Sequence, residues 1–502
     1  MTRRKRPAPE DALTPAVPRI PSTLLPSRDN PLVAFRILFH VGSADDPKGK
    51  EGLAALTAAM LAEGGSEKLT YPELLDALFP MAATIAVRAD REVTVVRGTV
   101  HRDNLERYHD LLSQVLVAPR FGVADFERLK ADQLNDIVTR LRGTDDEGLG
   151  KEALEAVMFA GHPYGRPVPG TVRGLKAVTL DDVKAFRAAH FTRANVELGL
   201  AGGYPAAFAA KVSAGILRLP EGRLRREAIP PARAPEGIEA TIVTKPCRAA
   251  AISIGFPISV TRADDDFYPL FVANSCLGEH RTFNGRLMNR MRGDRGLNYG
   301  DYSYVESFVQ DGGSTFPLPN VPRRRQAFTI WIRPVAPARA HFAIRQALRE
   351  LDRLVREGLT DGEFNATRDF LASYGRLWTQ TASRRLGYAL DGRFYGRASV
   401  SDELLQRLPS MAVGEVNAAI RRHLQAQSAY LAVVMDENAT KVFADGLVSG
   451  AASPIEYATP TSPEVLEEDE EIAVFPLQVH RSRLRIVPAA EMFEIGLPTL
   501  PL

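Results

Sequence analysis

Cysteine is nearly absent from this chain: Cys247 and Cys276 are the only two among 502 residues. Two thiols build neither a disulfide framework nor a cysteine-rich zinc site, so they read as ordinary thiols. Long hydrophobic runs are missing as well, and no window comes near the roughly 18 apolar residues of a membrane-spanning helix. The N-terminus, Met1-Thr2-Arg3-Arg4-Lys5-Arg6, is basic. It lacks the apolar segment of a secretory signal. These absences point to a soluble, cytoplasmic protein without a membrane partner, or a periplasmic one if a signal has been removed. Charge of one sign is not in excess either. Sixty-three Lys and Arg face 61 Asp and Glu, a net charge of +2, so no strong field favours nucleic acid. Among the nine histidines there is no His-x-x-Glu-His and no reverse of it.

What is present is ordinary folded protein, 45% hydrophobic and 25% charged. Residues 1–30 carry six prolines and scattered charge without periodicity and read as a disordered arm. Val33–Phe39 reads as a buried strand, Glu51–Glu63 as a helix stopped at Gly64-Gly65, and Thr84–Val100 as a hairpin turning at Asp90-Arg91. Leu105–Val117, Phe126–Arg142 and Leu180–His190 read as amphipathic helices, and Asn195–Ala201 as a strand. A similar order follows later. Ala250–Phe256, Phe328–Ile332 and Tyr430–Val434 read as strands; Leu270–Leu277, Phe283–Arg292, His341–Glu357, Thr360–Leu377 and Val413–Leu424 read as helices. Val178–Val183 matches Met411–Val416, suggesting an internal duplication. The expected fold is therefore α+β, with two duplicated domains at 31–217 and 245–450. The Pro- and Arg-rich stretch 218–244 reads as an extended linker whose arginines form a solvated face. Residues 451–502 form a C-terminal extension, with an acidic run (Glu464 to Glu471) expected as a solvated loop. The apolar stretch Ile472–Val487 must pack on this chain or on a partner.

Three segments carry a resemblance. They are Val41-Gly42-Ser43-Ala44-Asp45-Asp46-Pro47 through Gly52-Leu53-Ala54, then Gly161-His162-Pro163-Tyr164-Gly165-Arg166-Pro167, then Arg286-Leu287 through Met291-Arg292 to Asn298-Tyr299. Together they resemble the M16 family of zinc peptidases, the insulinase, pitrilysin-like and mitochondrial-processing-peptidase-like proteins, over about residues 32–448. The resemblance implies two M16-type α/β-sandwich domains forming a half-clamshell. It also implies a helix bearing His-x-x-Glu-His, with a glutamate ligand on a later helix. In this sequence the two histidine positions fall on Ala55 and Ala59, and the general base falls on Ala58. Asn135 or Asp136 stands at the later ligand position. Alanine has no donor atom, and a catalytic zinc needs three protein ligands. The expectation is a chain with no catalytic residue and no metal of its own, inactive alone.

The resemblance also implies that an arginine and a tyrosine of the second domain, here Arg292 and Tyr299, reach towards peptide substrate. The arginine would hold a carbonyl or carboxylate, and the tyrosine hydroxyl would donate to the oxygen that gains charge. Arg295 is a lesser candidate, and His280 reads as structural. Phe308–Arg325, with Gly312-Gly313 and Arg323-Arg324-Arg325, is expected as a mobile loop without chemistry. The implied function is that of the non-catalytic subunit of a two-chain metalloendopeptidase. A homologous subunit with His-x-x-Glu-His would hold the zinc, and peptides would be the substrate. The alternative is a purely structural scaffold or peptide-binding protein of the same fold.

Overall fold

The computed structural model describes residues 20–496 apart from positions 225, 227, 283 and 311. The first half contains β1 (Ser22–Pro26), β2 (Leu32–Phe39), β3 (Ala86–Ala89), β4 (Thr94–His101) and β5 (Val196–Gly202), arranged in the order β1-β5-β2-β4-β3. The second half contains β6 (Ile238–Thr244), β7 (Ala250–Ile258), β8 (Asp301–Tyr304), β9 (Gln326–Val335), β10 (Ala429–Met435) and β11 (Leu484–Pro488), in the order β11-β6-β10-β7-β9-β8. The two sheets share one topology. In each, the first strand runs parallel to the last of the repeat, β1 with β5 and β6 with β10; β11 adds a further parallel pair on the outside of β6, and the other pairs are antiparallel. The duplication is legible in the numbering. The helices Leu180–His190 and Val413–His423 and the strands β5 and β10 are offset identically, since 413 − 180 and 429 − 196 both equal 233.

Both sheets are apolar on both faces. Seven of the eight β2 residues are buried, as are all seven of β10. One face of each sheet packs on helices of its own half. The other face takes a helix from the opposite half. The Asp146–Met158 helix of the first half lies on β7, β9 and β10. Its Leu149, Ala153 and Leu154 share a core with Ala251, Ala432 and Val434. Reciprocally, the Ala382–Phe394 helix of the second half lies on β1, β2 and β5. There Leu386 and Leu390 pack with Leu38 and Ala201. Gly199 permits that approach, because a β-carbon there would sit 2.9 Å from Leu390 Cδ1. Neither exchanged helix was expected from the sequence.

Several expectations are corrected. Residues 1–19 of the expected arm lie outside the described residues, but Ser22–Pro26 is β1, hydrogen-bonded to β5. The expected linker ends early: Ile238–Thr244 is β6, an interior strand of the second sheet. Before it, Ile229 and Pro230 are held through their carbonyls by Arg325 and His162. The arginines are not merely solvated, since Arg233 pairs with the buried Glu239. Phe126–Arg142 divides into an α-helix (Val123–Asn135) and a π-helical stretch (Asp136–Thr144). Of the expected Phe283–Arg292 helix, position 283 lies outside the described residues, and the turns that follow become π-helical at Met288–Gly293.

The C-terminal extension packs on its own chain. The acidic run is a helix, Pro463–Ala473, and not a loop. A row of basic side chains draws it in: Arg295 Nε lies 2.7 Å from Asp469, and Arg295 Nη2 and Arg349 Nη1 lie 2.6 and 2.8 Å from Glu468. Next, β11 pairs with β6. Met492 and Phe493 then enter the core of the first half, where Arg142 Nε donates to the Met492 carbonyl at 2.6 Å. The extension therefore straps the second half to the first. The described residues include no helix long and apolar enough to cross a membrane.

Candidate functional site

The alanine-bearing helix, Leu53–Glu63, is built to a strict geometry. Its N-cap, Gly52, has φ +109, and a β-carbon there would lie 2.4 Å from the Pro169 carbonyl oxygen. The Asp46 carboxylate accepts from the amides of Gly52 and Ala54, both at 2.7 Å, and so satisfies donors that the first turn leaves unpaired. Leu53, Leu56, Met60 and Leu61 anchor the helix in the core. Ala55, Ala58 and Ala59 share one face, being spaced i, i+3 and i+4. Ala58 is buried, while Ala55 and Ala59 are half-buried. The Val123–Asn135 helix packs on the Leu53–Glu63 helix, as does β3, the edge strand of its sheet among the described residues.

At the later ligand position Asn135 is exposed, and Asp136 opens the π-helical stretch. Both Asp136 oxygens are taken by the Arg140 guanidinium, with Nη2 to Oδ2 at 3.0 Å. The helices thus meet as the resemblance requires, but the donor set does not fit zinc. Three methyl groups and one arginine-bound carboxylate offer no ligand triad, and no group of three His, Cys, Asp or Glu among the described residues could hold a metal ion.

The second-half pair is brought together. Arg292 lies on the π-helical stretch and Tyr299 in the loop before β8. The Arg292 guanidinium sits 4.8 Å from the Tyr299 ring centre. Tyr299 is 69% exposed, unusual for a large aromatic side chain in a well-packed protein. Its loop is fixed from behind. Asn298 Nδ2 donates to Asp301 at 2.6 Å and to the Arg333 carbonyl at 2.9 Å. Burial pushes the Asp301 carboxyl up to about 8. The π-helical stretch is fixed by the Arg295 contacts to the acidic helix. With its side chain fully enclosed, Arg295 is a structural clamp and does not face substrate.

Sequence reasoning missed the neighbours of this pair. The Arg333 guanidinium of β9 lies 5.6 Å from the Tyr299 ring centre and 5.8 Å from the Trp331 ring centre, and it pairs with Glu147 at 3.2 Å. The Lys151 ammonium lies 3.1 Å from the Trp331 ring centre. A ladder of cations and aromatic rings thus runs from Arg292 across β9 to the exchanged helix of the first half. Alternation along β9 could have placed Trp331 and Arg333 on one face, but nothing local could have added Glu147 and Lys151.

His280 is structural, as expected. Nδ1 is 2.8 Å from the Tyr304 hydroxyl, and the ring packs among Tyr302, Phe308 and Trp331. Burial lowers it to about 3 and keeps it neutral. The segment from Phe308 to Arg325 is tethered, contrary to the expected mobility. Tyr374 donates to the Thr315 carbonyl, Asp391 accepts from Asn320, Arg323 pairs with Glu155 at 2.9 Å, and Arg324 pairs with Glu92. Position 311 lies outside the described residues.

Comparison with known proteins agrees with this geometry. Residues 23–172 match the family model described as insulinase (peptidase family M16), and residues 177–371 match the one described as peptidase M16 inactive domain. An uncharacterized zinc protease of Streptomyces coelicolor is 24% identical over 425 residues, covering 80% of this chain and 84% of that protein. A crystal structure of a peptidase M16 inactive domain from Pseudomonas fluorescens superposes with a TM-score of 0.73 at 22% identity, covering 83% of this chain and 95% of that one. A protease from Helicobacter pylori superposes with a TM-score of 0.71 at 14% identity, covering 82% and 96%. With the two domain models matched in order and the duplicated half-clamshell in place, the chain belongs to peptidase family M16.

Proposed function

We propose that this chain is the non-catalytic subunit of a two-chain M16 peptidase. A homologous subunit with an intact His-x-x-Glu-His helix would hold the zinc and the attacking water. This chain would present Arg292 and Tyr299 to the peptide lying there. One contrast carries the reading: the helix of Ala55, Ala58 and Ala59 keeps its cap and packing with no donor atoms, while Arg292 and Tyr299 stand together at the surface. The guanidinium would hold a peptide carbonyl or carboxylate through charge-assisted bonds. The Tyr299 hydroxyl would donate to the oxygen that becomes negative as the peptide bond is attacked. An extended peptide would pair with a strand edge of the catalytic chain.

The test is co-purification followed by reconstitution. Tagged chain should bring down a homologous subunit of similar size that contains zinc, and the pair should cleave unfolded peptides. Arg292→Ala should lower kcat/KM of the pair about 10- to 100-fold, the loss of one charge-assisted contact, without preventing assembly. An unchanged kcat/KM would remove the catalytic role. Absence of any zinc-bearing partner would favour the scaffold reading. Stoichiometric zinc and hydrolysis by the isolated chain would overturn both.

A further inference from the structure

A cleft of about 590 Å³, its solvent-filled mouth included, lies between the Asp146–Met158 helix of the first half and β9 of the second. Its walls are largely apolar, from Leu154, Met158, Phe159, Phe308 and Ile330. Its polar groups are unbalanced. The lining includes three cations, Lys151, Arg323 and Arg325, against one carboxylate, Glu155. Glu155 is already committed: Arg323 lies 2.9 Å from one oxygen and Arg91 2.7 Å from the other.

Lys151 and Arg325 have no carboxylate within salt-bridge distance among the described residues. Arg325 donates to the carbonyls of Ile229 and Pro230 at 2.9–3.1 Å. Lys151 rests on the Trp331 ring, and burial pushes its ammonium down to about 8. Trp331, only 8% exposed, also lines the cleft, and its buried indole N–H has no acceptor among the described residues. Glu147, Asp145 and Glu152 attract Lys151 only from beyond ion-pair distance. A buried donor without a partner and a buried ammonium without an ion pair are costly, and one incoming acceptor group would relieve both.

We infer that this cleft binds an apolar group ending in a carboxylate, with Lys151, Arg325 and the Trp331 N–H receiving the carboxylate. Two sources supply that chemistry: the C-terminal residue of a peptide and a small free carboxylic acid. The inference rests on the peptide-binding part of the proposal above but needs no catalytic partner. It is therefore measured on the isolated full chain, and its failure would leave the two-chain reading standing.

Trp331 is its own reporter, because the other tryptophan, Trp378, is enclosed by Phe271, Tyr374 and Tyr388. Acetylated tripeptides ending in Leu, Phe, Met or Val are titrated as free acids and as amides, beside 3-phenylpropionate and its amide. Fluorescence is followed in wild type, with Trp331→Phe as the blank. At least one acid should bind 10-fold or more tighter than its amide, and Lys151→Met should erase the preference while Lys151→Arg keeps most of it. A tripeptide acid that outbinds phenylpropionate assigns the cleft to peptide ends; the reverse assigns it to free acids. Equal binding of every acid and its amide, or no binding by any, overturns the inference. So does a preference that survives in a folded Lys151→Met or Arg325→Met variant.

Discussion

The two halves of this chain began as the same unit and now differ in what they offer to a ligand. In the first half, the helix at the family's metal position is intact as a structural member. It has an N-cap in a conformation that favours glycine, Asp46 across its first turn, and four large apolar anchors. Its functional face is three methyl groups. In the second half, the residues proposed to meet peptide are a half-buried arginine and an exposed tyrosine, both held in place. Arg292 and Tyr299 are stacked, the tyrosine loop is pinned by Asn298, and the arginine's π-helical stretch is pinned by Arg295 to the acidic helix. The described residues also include a π-helical stretch at the first-half site position, Asp136–Thr144, where the carboxylate is spent on Arg140. Backbone irregularity is therefore common to both halves, and the difference lies in side-chain chemistry. A fold can discard ligand atoms and retain the helix that carried them, because burial and capping supply its stability independently.

The comparison can be broken first at the exchanged helices. Leu386→Ala leaves a cavity under the first sheet and should lower unfolding free energy by about 3 kcal/mol. Leu149→Ala should cost a similar amount under the second, as chemical denaturation of the full chain would measure. A large inequality would mean that only one exchange holds the halves together. Next, Tyr299→Phe should lower kcat of the reconstituted pair about 100-fold, the usual loss for one donor to a developing oxyanion. Ala59→Ser on the first-half helix should leave kcat within about 2-fold, since exposed or half-exposed substitutions away from chemistry have small effects. Equal effects would erase the distinction between the halves.

A smaller effect is expected at the clamp. Arg295→Met releases the Arg292 helix from Asp469 and Glu468 and should reduce kcat/KM about 10-fold, by misplacement and not by loss of a contact to peptide. Arg295→Lys should recover part of the loss, and Arg292→Ala should not worsen Arg295→Met by its full single-variant factor. The smallest effect concerns Glu155, which joins the halves through Arg91 and Arg323. Burial pushes its carboxyl up, but the combined attraction of Arg323 and Arg91 prevails and holds it below the ordinary carboxylate range. A depressed folded-state value stabilises above the unfolded one. The stability that Glu155 adds over Glu155→Gln should therefore be present at neutral pH and be lost as the pH falls below the ordinary carboxylate range. Denaturation midpoints across that range would test it, and a difference that grows on acidification would reverse the assignment.

Much of the architecture was legible beforehand. Leu105–Val117 and Leu180–His190 coincide with observed helices because their apolar spacing is local and strong. The strand around Val33–Phe39 and the hairpin at Asp90-Arg91 were equally clear. The errors share one cause. Ser22–Pro26 and Ile238–Thr244 lie in proline-bearing surroundings, and each became a strand only because a partner strand from distant sequence was available. The acidic run became a helix because Arg295 and Arg349 neutralise it. The loop of Arg323 and Arg324 became rigid because Glu155 and Glu92 meet it from the other half. Of the residues proposed for the site, Ala55, Ala58, Ala59, Arg292 and Tyr299 could be named from their positions in the sequence. Lys151, Arg333 and Trp331 were not, because their significance lies in what they touch.

The sequence by itself determined that no metal ligands stand at positions 55, 58 and 59, that one unit is repeated, and that an arginine and a tyrosine seven residues apart accompany the second copy. Those are facts of covalent order and local periodicity. Only the tertiary structure decided that each half lends a helix to the other's sheet, that the tail straps the halves together, and that Lys151 and Arg325 line one cleft. A strand apolar on both faces states that it will be covered twice. It does not state by which segment, because that choice depends on the fit of surfaces more than a hundred residues apart.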